Sequence, residues 1–289
     1  MSDRGSGVWL TASASALWGT VFVAADLGLR YTNPYVLVFL RFLFASAIIG
    51  LVAGLFDRRL GISGELRRSS TWLLGFIDSL GFLLQYAGQS LTNASDATLL
   101  ANLAPILVPL VAWKLSKEHI SKIQAIAMVA GLSGLTLMAS STAGSEAGSV
   151  IGDLLLFGAS ASFALFIVMS KRLNAVTTGS ALAVIVAITV FLAPAALILG
   201  RLNPFTLAVG LDGWYSSLYM AVACTVIPMV LYLQGLGSMS STRSGTLLLL
   251  EVLSGLILTI SLLGQIPTWP QLIAGTTIVA ALAMGVASK

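Results

Sequence analysis

The chain has 289 residues, of which 57% are hydrophobic and 9% charged, with a mean hydropathy of +0.97. A soluble domain carries about 25% charged residues, so a water-facing surface is excluded and an integral membrane protein is indicated. The net charge of +4 does not point to nucleic acid, because every cation but Arg41 lies in or at the edge of the connections between apolar segments or at the termini.

Ten apolar segments reach spanning length, which takes roughly 20 helical residues. They are continuously apolar rather than alternating, so helices are expected and not a β-barrel. The first, Val8–Leu29, carries Trp18 and Asp26; no small-residue cleavage site follows it, so it reads as a helix and not a signal peptide. The second, Tyr35–Phe56, carries Arg41. A charge inside the bilayer costs roughly 2.5–3.5 kcal/mol on insertion scales, and Asp26 and Arg41 lie at similar depth, so a structural ion pair between them is expected. The basic stretch 57–71 is expected to ride on the membrane surface.

The third segment, Trp72–Leu91, places Asp78, Phe82, Gln85 and Gln89 on one helical face. Such a stripe lines a water-filled cavity or makes hydrogen-bonded helix contacts. The fourth, Ala94–Trp113, contains Asn102, Pro105 and Pro109. Each proline removes a helix hydrogen bond and frees a carbonyl, so Pro105 and Pro109 are the expected hinge. The fifth is Lys122–Ser140. A Ser, Gly and Ala-rich stretch in 141–151 then reads as an outer linker.

The sixth segment, Gly152–Met169, carries Phe163. Ser180–Leu199 carries Pro194, and Gly213–Gly235 carries Cys224 and Pro228. The lone cysteine excludes an internal disulfide and reads as a small buried side chain. The ninth, Ser244–Leu263, carries Glu251, the deepest acidic position; the tenth is Pro270–Val286. Asp78 and Glu251 are candidate proton-coupling groups, and with Trp18, Phe82, Gln85, Asn102 and Phe163 they form the expected substrate cavity. Small residues four apart at Gly50/Gly54, Ala127/Gly131 and Ala281/Gly285 permit close helix approach. His119, the only histidine, lies in a basic connection and reads as a solvated loop residue.

The stretch from Ala94 returns, altered, from Ser241, and the same displacement of 147 residues pairs Glu118 with Gln265 and Gln124 with Gln271. Ala14-Ser-Ala16 similarly matches Ala159-Ser-Ala161, with Trp18 against Phe163. Residues 1–140 and 152–289 therefore read as two five-helix repeats. Five is odd, so the second repeat enters the membrane inverted. Twelve Lys and Arg fall on one side of this layout and only Arg30 and Arg201 on the other. The positive-inside rule then puts both termini in the cytoplasm, in a multi-pass protein of the inner (cell) membrane.

Three stretches carry a resemblance: Leu17-Trp-Gly-Thr-Val-Phe-Val23 with Phe39-Leu-Arg-Phe42; Ala101-Asn-Leu-Ala-Pro105 with Lys117-Glu-His-Ile-Ser121; and Leu248-Leu-Leu-Glu251 with the segment from Leu263 to Gly275. The chain resembles the drug/metabolite transporter (DMT) superfamily in its ten-helix EamA-type branch, and most of all the YddG-type aromatic amino acid exporters. Val252 and Gln265 depart from the proline and glutamate that the family pattern repeats. The resemblance implies an all-α membrane protein and a secondary transporter exporting aromatic or neutral amino acids by alternating access. Its partners would be a small-molecule substrate and membrane lipid, with no nucleic acid, and a monomer is favoured.

Two other readings stand beside it: a proton-coupled multidrug efflux transporter, and an intramembrane enzyme. The enzyme would need a clustered catalytic set, and the single loop histidine does not supply one. No metal-ligand cluster or phosphate-binding loop is present in the sequence, so no cofactor or metal is expected.

Overall fold

The structure is a computed structural model; it describes residues 3–89, 91, 100–141, 149–201, 210–263 and 268–287. All regular structure among the described residues is helical. The helices are α1 (Asp3–Gly19), α2 (Val21–Leu29), α3 (Pro34–Leu60), α4 (Ile62–Leu66), α5 (Ser69–Gln89), α6 (Ala104–Ser116) and α7 (Lys122–Ser141). They continue with α8 (Val150–Arg172), α9 (Thr178–Ile198), α10 (Leu211–Ala221), a π-helical turn (Val222–Val226), α11 (Ile227–Gly237), α12 (Ser241–Leu247), α13 (Leu249–Leu263) and α14 (Trp269–Ala287).

Helix ends follow local chemistry. Asn33 caps α3 by accepting from the Val36 amide at 3.0 Å, and Pro34 opens the helix. At its other end Gly61 takes φ +68°, a left-handed conformation that suits glycine, just after Arg58 and Arg59 in the last turn. Thr177 caps α9 through the Ser180 amide at 3.1 Å.

Among the described residues, four stretches are long and apolar enough to cross a membrane: Pro34–Leu60, Val150–Arg172, Thr178–Ile198 and Leu211–Gly237. Leu51, Leu55, Leu154 and Ile198 lie exposed on these helices, as side chains facing lipid would. Several expected spans are interrupted. The first breaks at Thr20 between α1 and α2, the eighth winds through the π-helical turn, and the ninth breaks at Leu248 between α12 and α13. The basic stretch after α3 folds in part as α4, with Ile62 buried and Arg67 and Arg68 exposed.

Helix neighbours come in matched sets. α5 packs along α8, and α1 packs along α11; α6 meets α8, and α1 meets α13; α9 meets α5, and α10 meets α3. α3 also packs on α9, α6 on α12, and α7 on α14. Two glycines make the first pair of crossings close. A Cβ at Gly88 would stand 2.8 Å from the Gly152 carbonyl oxygen, and a Cβ at Gly235 would stand 2.8 Å from that of Gly7. A methyl group at either position collides with backbone, so these crossings require glycine. Ala127 and Ala281 are buried on α7 and α14, which pack within the chain. Gly50 and Gly54 differ: they are exposed, with open space where a Cβ would go.

Candidate functional site

Pro228 carries no amide hydrogen, so the Cys224 carbonyl four residues before it loses its α-helical partner. The π-helical turn lies at this point, and such turns recur at functional sites. Arg41, only 5% exposed, reaches across from α3 to fill the gap. Its Nη2 donates to the Cys224 oxygen at 2.5 Å and its Nε donates to Thr225 Oγ1 at 2.6 Å. Thr225 Oγ1 in turn donates to the Met220 carbonyl at 2.9 Å. A buried guanidinium is stable only when hydrogen-bonded and charge-compensated. These two bonds use two of its five N–H donors.

Aromatic rings surround the same guanidinium. Its central carbon lies 5.3 Å from the Phe42 ring centre and 5.6 Å from that of Phe82, within cation–π range. Phe82 packs edge-on against Phe42 at 5.0 Å and against Phe163 at 5.2 Å. Phe163 lies over Gly81, whose missing side chain makes room for the ring. Across the bundle, Trp18 meets Tyr232 at 5.1 Å between ring centres.

Two carboxyls feel the field of Arg41: Asp78 on α5, which is 4% exposed, and Glu251 in the first turn of α13. α3, α5 and α13 thus contribute one cation and two acids, Asp78 buried and Glu251 half-buried, to one neighbourhood. Thr20, at the break between α1 and α2, contacts Cys224 Sγ at 3.2 Å and accepts from Tyr219 OH at 3.0 Å. This region can hold an anionic group against Arg41, a cationic group against Asp78 or Glu251, and an apolar group against the rings.

The sequence-expected residues divide. Asp78, Phe82, Phe163 and Glu251 are the acids and rings of the Arg41 neighbourhood. Trp18, half-buried, packs against Tyr232 of the main apolar core. Gln85 is half-buried on α5, whereas Gln89 at its end is exposed. Asn102 is half-buried where the chain turns ahead of α6. Pro105 occupies the first turn of α6, where its missing amide costs nothing, and Pro109 alone lies inside that helix. The break in this region therefore sits at Asn102–Leu103, just before Pro105. The start of the fourth expected span lies outside the described residues, as does the Asp26 side chain, so the Asp26–Arg41 pair falls outside them too.

Sequence reasoning passed over Thr225, Tyr232 and the Cys224 carbonyl. A signal existed for the last: a proline four residues after it. Glu118 was also missed as an interacting group, although it stood within the family-like stretch; its carboxylate binds the start of α12, as described below.

The EamA-like transporter family model matches the chain twice, over residues 5–140 and 150–286. An uncharacterized transporter of Archaeoglobus fulgidus is 27% identical over 292 residues, covering 97% of each chain. The uncharacterized transporter YetK of Bacillus subtilis is 25% identical over 245 residues, covering 81% of this chain and 72% of its own. A solved crystal structure superposes with a TM-score of 0.83 at 21% identity, covering 97% of this chain and 96% of its own, a likeness of fold. With both matched segments together spanning most of its length, the chain belongs to the EamA-like transporter family.

Proposed function

We propose that this transporter exports small zwitterionic metabolites, aromatic and neutral amino acids foremost, from the cytoplasm across the inner membrane. The observation that carries the reading is the Arg41 neighbourhood. A substrate carboxylate would pair with the remaining Arg41 donors, its ammonium with Asp78 or Glu251, and an aromatic side chain with Phe82 and Phe163. Charge-assisted bonds of this kind are about twice as strong as neutral ones, and aromatic pairs add about 0.5–1.5 kcal/mol beyond area burial. Trp18, Gln85 and Asn102 complete the cavity in this reading.

Movement would be alternating access between two inverted halves, 1–140 and 152–289, of five spanning helices each, with 141–151 as the outer link. The matched helix neighbours support it: exchanging the halves maps α5 on α8 onto α11 on α1, and α3 on α9 onto itself. Gly88 over Gly152 and Gly235 over Gly7 are likewise partners under that exchange. The double match of the family model supports it as well. The Lys and Arg excess supports cytoplasmic termini.

A second reading is favoured by the two carboxyls, Asp78 buried and Glu251 half-buried. Proton-coupled efflux of cationic drugs would use Asp78 or Glu251 as the titrating group and the rings as a cation–π surface. Uptake into liposomes holding only this protein separates the two. Labelled Trp, Phe, Met and Thr would be compared with a cationic dye, each with and without a pH gradient. Saturable amino-acid flux supports the first reading, and gradient-dependent dye flux alone supports the second.

A further inference from the structure

Below the Arg41 neighbourhood, at the end of the bundle that carries Lys114, Lys117, Arg172 and Arg243, one carboxylate ties together three segments. Glu118 follows α6 in the connection to α7. Its Oε1 accepts from the Ser241 amide at 3.1 Å, and its Oε2 accepts from the Thr242 amide and hydroxyl, both at 3.2 Å. Those amides are the unsatisfied donors at the start of α12, where the helix dipole also favours an anion. Lys171, near the end of α8, lies 3.6 Å from Glu118 Oε1 and also donates to the Met239 carbonyl. Arg172 beside it donates to the Leu115 carbonyl in α6 at 3.0 Å.

The element so held is short and separate from the helix that follows it. α12 has seven residues and ends at the break before α13. It lies on α6, with a Cβ at Gly245 meeting Val108 at 2.8 Å. Glu251, at the level of the charged site, is ten residues beyond Ser241, about 15 Å along a helix. The clasp thus stands between that site and the basic end of the bundle.

We propose that Glu118 is the latch of a gate at this end. While its carboxylate holds the amides of Ser241 and Thr242, α12 stays seated on α6 and the path from the charged site is shut. When it lets go, α12 swings about Leu248 and opens that path. Lys171 is a positioning residue that keeps the carboxylate charged and in place. The assignment rests on the alternating-access reading above.

The test is solvent access, which needs no substrate. Thr246→Cys places a thiol at a buried position one turn above the cap. The full chain in liposomes is treated with a membrane-impermeant maleimide from each face in turn, and the same chain without the probe gives the background from Cys224. Glu118→Ala is expected to raise labelling from the basic face about tenfold, the population shift that losing a bias of roughly 1.4 kcal/mol produces. Glu118→Gln keeps an acceptor oxygen without the charge, and a smaller rise is expected; it serves alone if the alanine variant does not fold. A rise confined to the basic face supports the latch. Unchanged labelling in the folded variants, or an equal rise from both faces, overturns it. A one-sided rise in a protein that moves no substrate would leave the latch standing and sink the transport reading.

Discussion

The Nη2 nitrogen of Arg41 stands 2.5 Å from the carbonyl oxygen of Cys224, the acceptor whose α-helical donor Pro228 removes. A helix defect in the second half of the chain is thereby repaired by a cation from the first. The repair fixes where the guanidinium lies, and with it the meeting point of Asp78, Glu251 and the Phe82–Phe163 pair.

Arg41→Lys keeps the charge but cannot make both bonds with one rigid fork. Substrate flux is expected to fall by about a hundredfold, as for a misplaced binding group, with only modest loss of stability. Arg41→Ala also leaves the two carboxyls without their cation and should cost roughly 3 kcal/mol. Flux in liposomes and thermal unfolding in detergent check the two effects separately; full flux in Arg41→Lys would show that the fork is not needed.

Pro228→Ala returns an amide to the Cys224 carbonyl and so competes with Arg41. The melting temperature is expected to hold or rise, while flux drops. A variant with unaltered flux would show that the π-helical turn does not position Arg41.

The glycine crossings give a contrast inside one residue type. Gly88→Val and Gly235→Val drive a side chain into a backbone carbonyl and should each destabilise by about 1–3 kcal/mol. Gly50→Ala faces open space, and gains of up to about 1 kcal/mol are expected from helix propensity. Thermal melts of the purified variants compare them directly; equal effects at all three positions would contradict the close crossings.

Acid should release the clasp at Glu118. Burial pushes this carboxyl up, but the amides of Ser241 and Thr242 and the Lys171 ammonium outweigh it and hold it below its ordinary value of 4.5. A depressed folded value means that the stabilisation is complete above the unfolded value and is lost as pH falls through the folded one. The stability difference between the parent chain and Glu118→Gln should therefore stay constant from neutral pH down to about 4.5 and shrink below it. A difference that vanishes already near neutrality would contradict the clasp.

Much of this was legible in the sequence, for identifiable reasons. Apolar length and loop charge depend only on composition, so an all-helical membrane protein was readable, with four of the expected spans long and apolar enough to cross a membrane among the described residues; the polar matches at a fixed displacement are what the proposed division into two halves rests on. Asp78 and Glu251 stood out because a carboxyl in an apolar run needs a reason. Helix interruptions were harder. Thr20 and Leu248 carry no breaker chemistry of their own; the first break lies beside Gly19, whose close approach to the Glu251 carbonyl only the packed bundle reveals. Of the two prolines read as a hinge, Pro105 opens α6 just after the break at Asn102–Leu103 and Pro109 lies inside the helix, a difference that the spacing of the prolines does not show. The partners of Arg41 were hidden because they include a backbone carbonyl, which no side-chain pattern announces. Glu118 was hidden because its partners lie 123 and 124 residues away on the chain.

If the Arg41 neighbourhood binds the substrate of a transporter, changing its cation or its rings changes flux. Labelled Trp uptake would be measured in liposomes containing the parent chain, Arg41→Lys or Phe82→Ala, each shown to be folded. Saturable flux is expected in the parent, with near-complete loss in Arg41→Lys and a raised half-saturation concentration in Phe82→Ala. Saturable flux unchanged in both folded variants would contradict binding there.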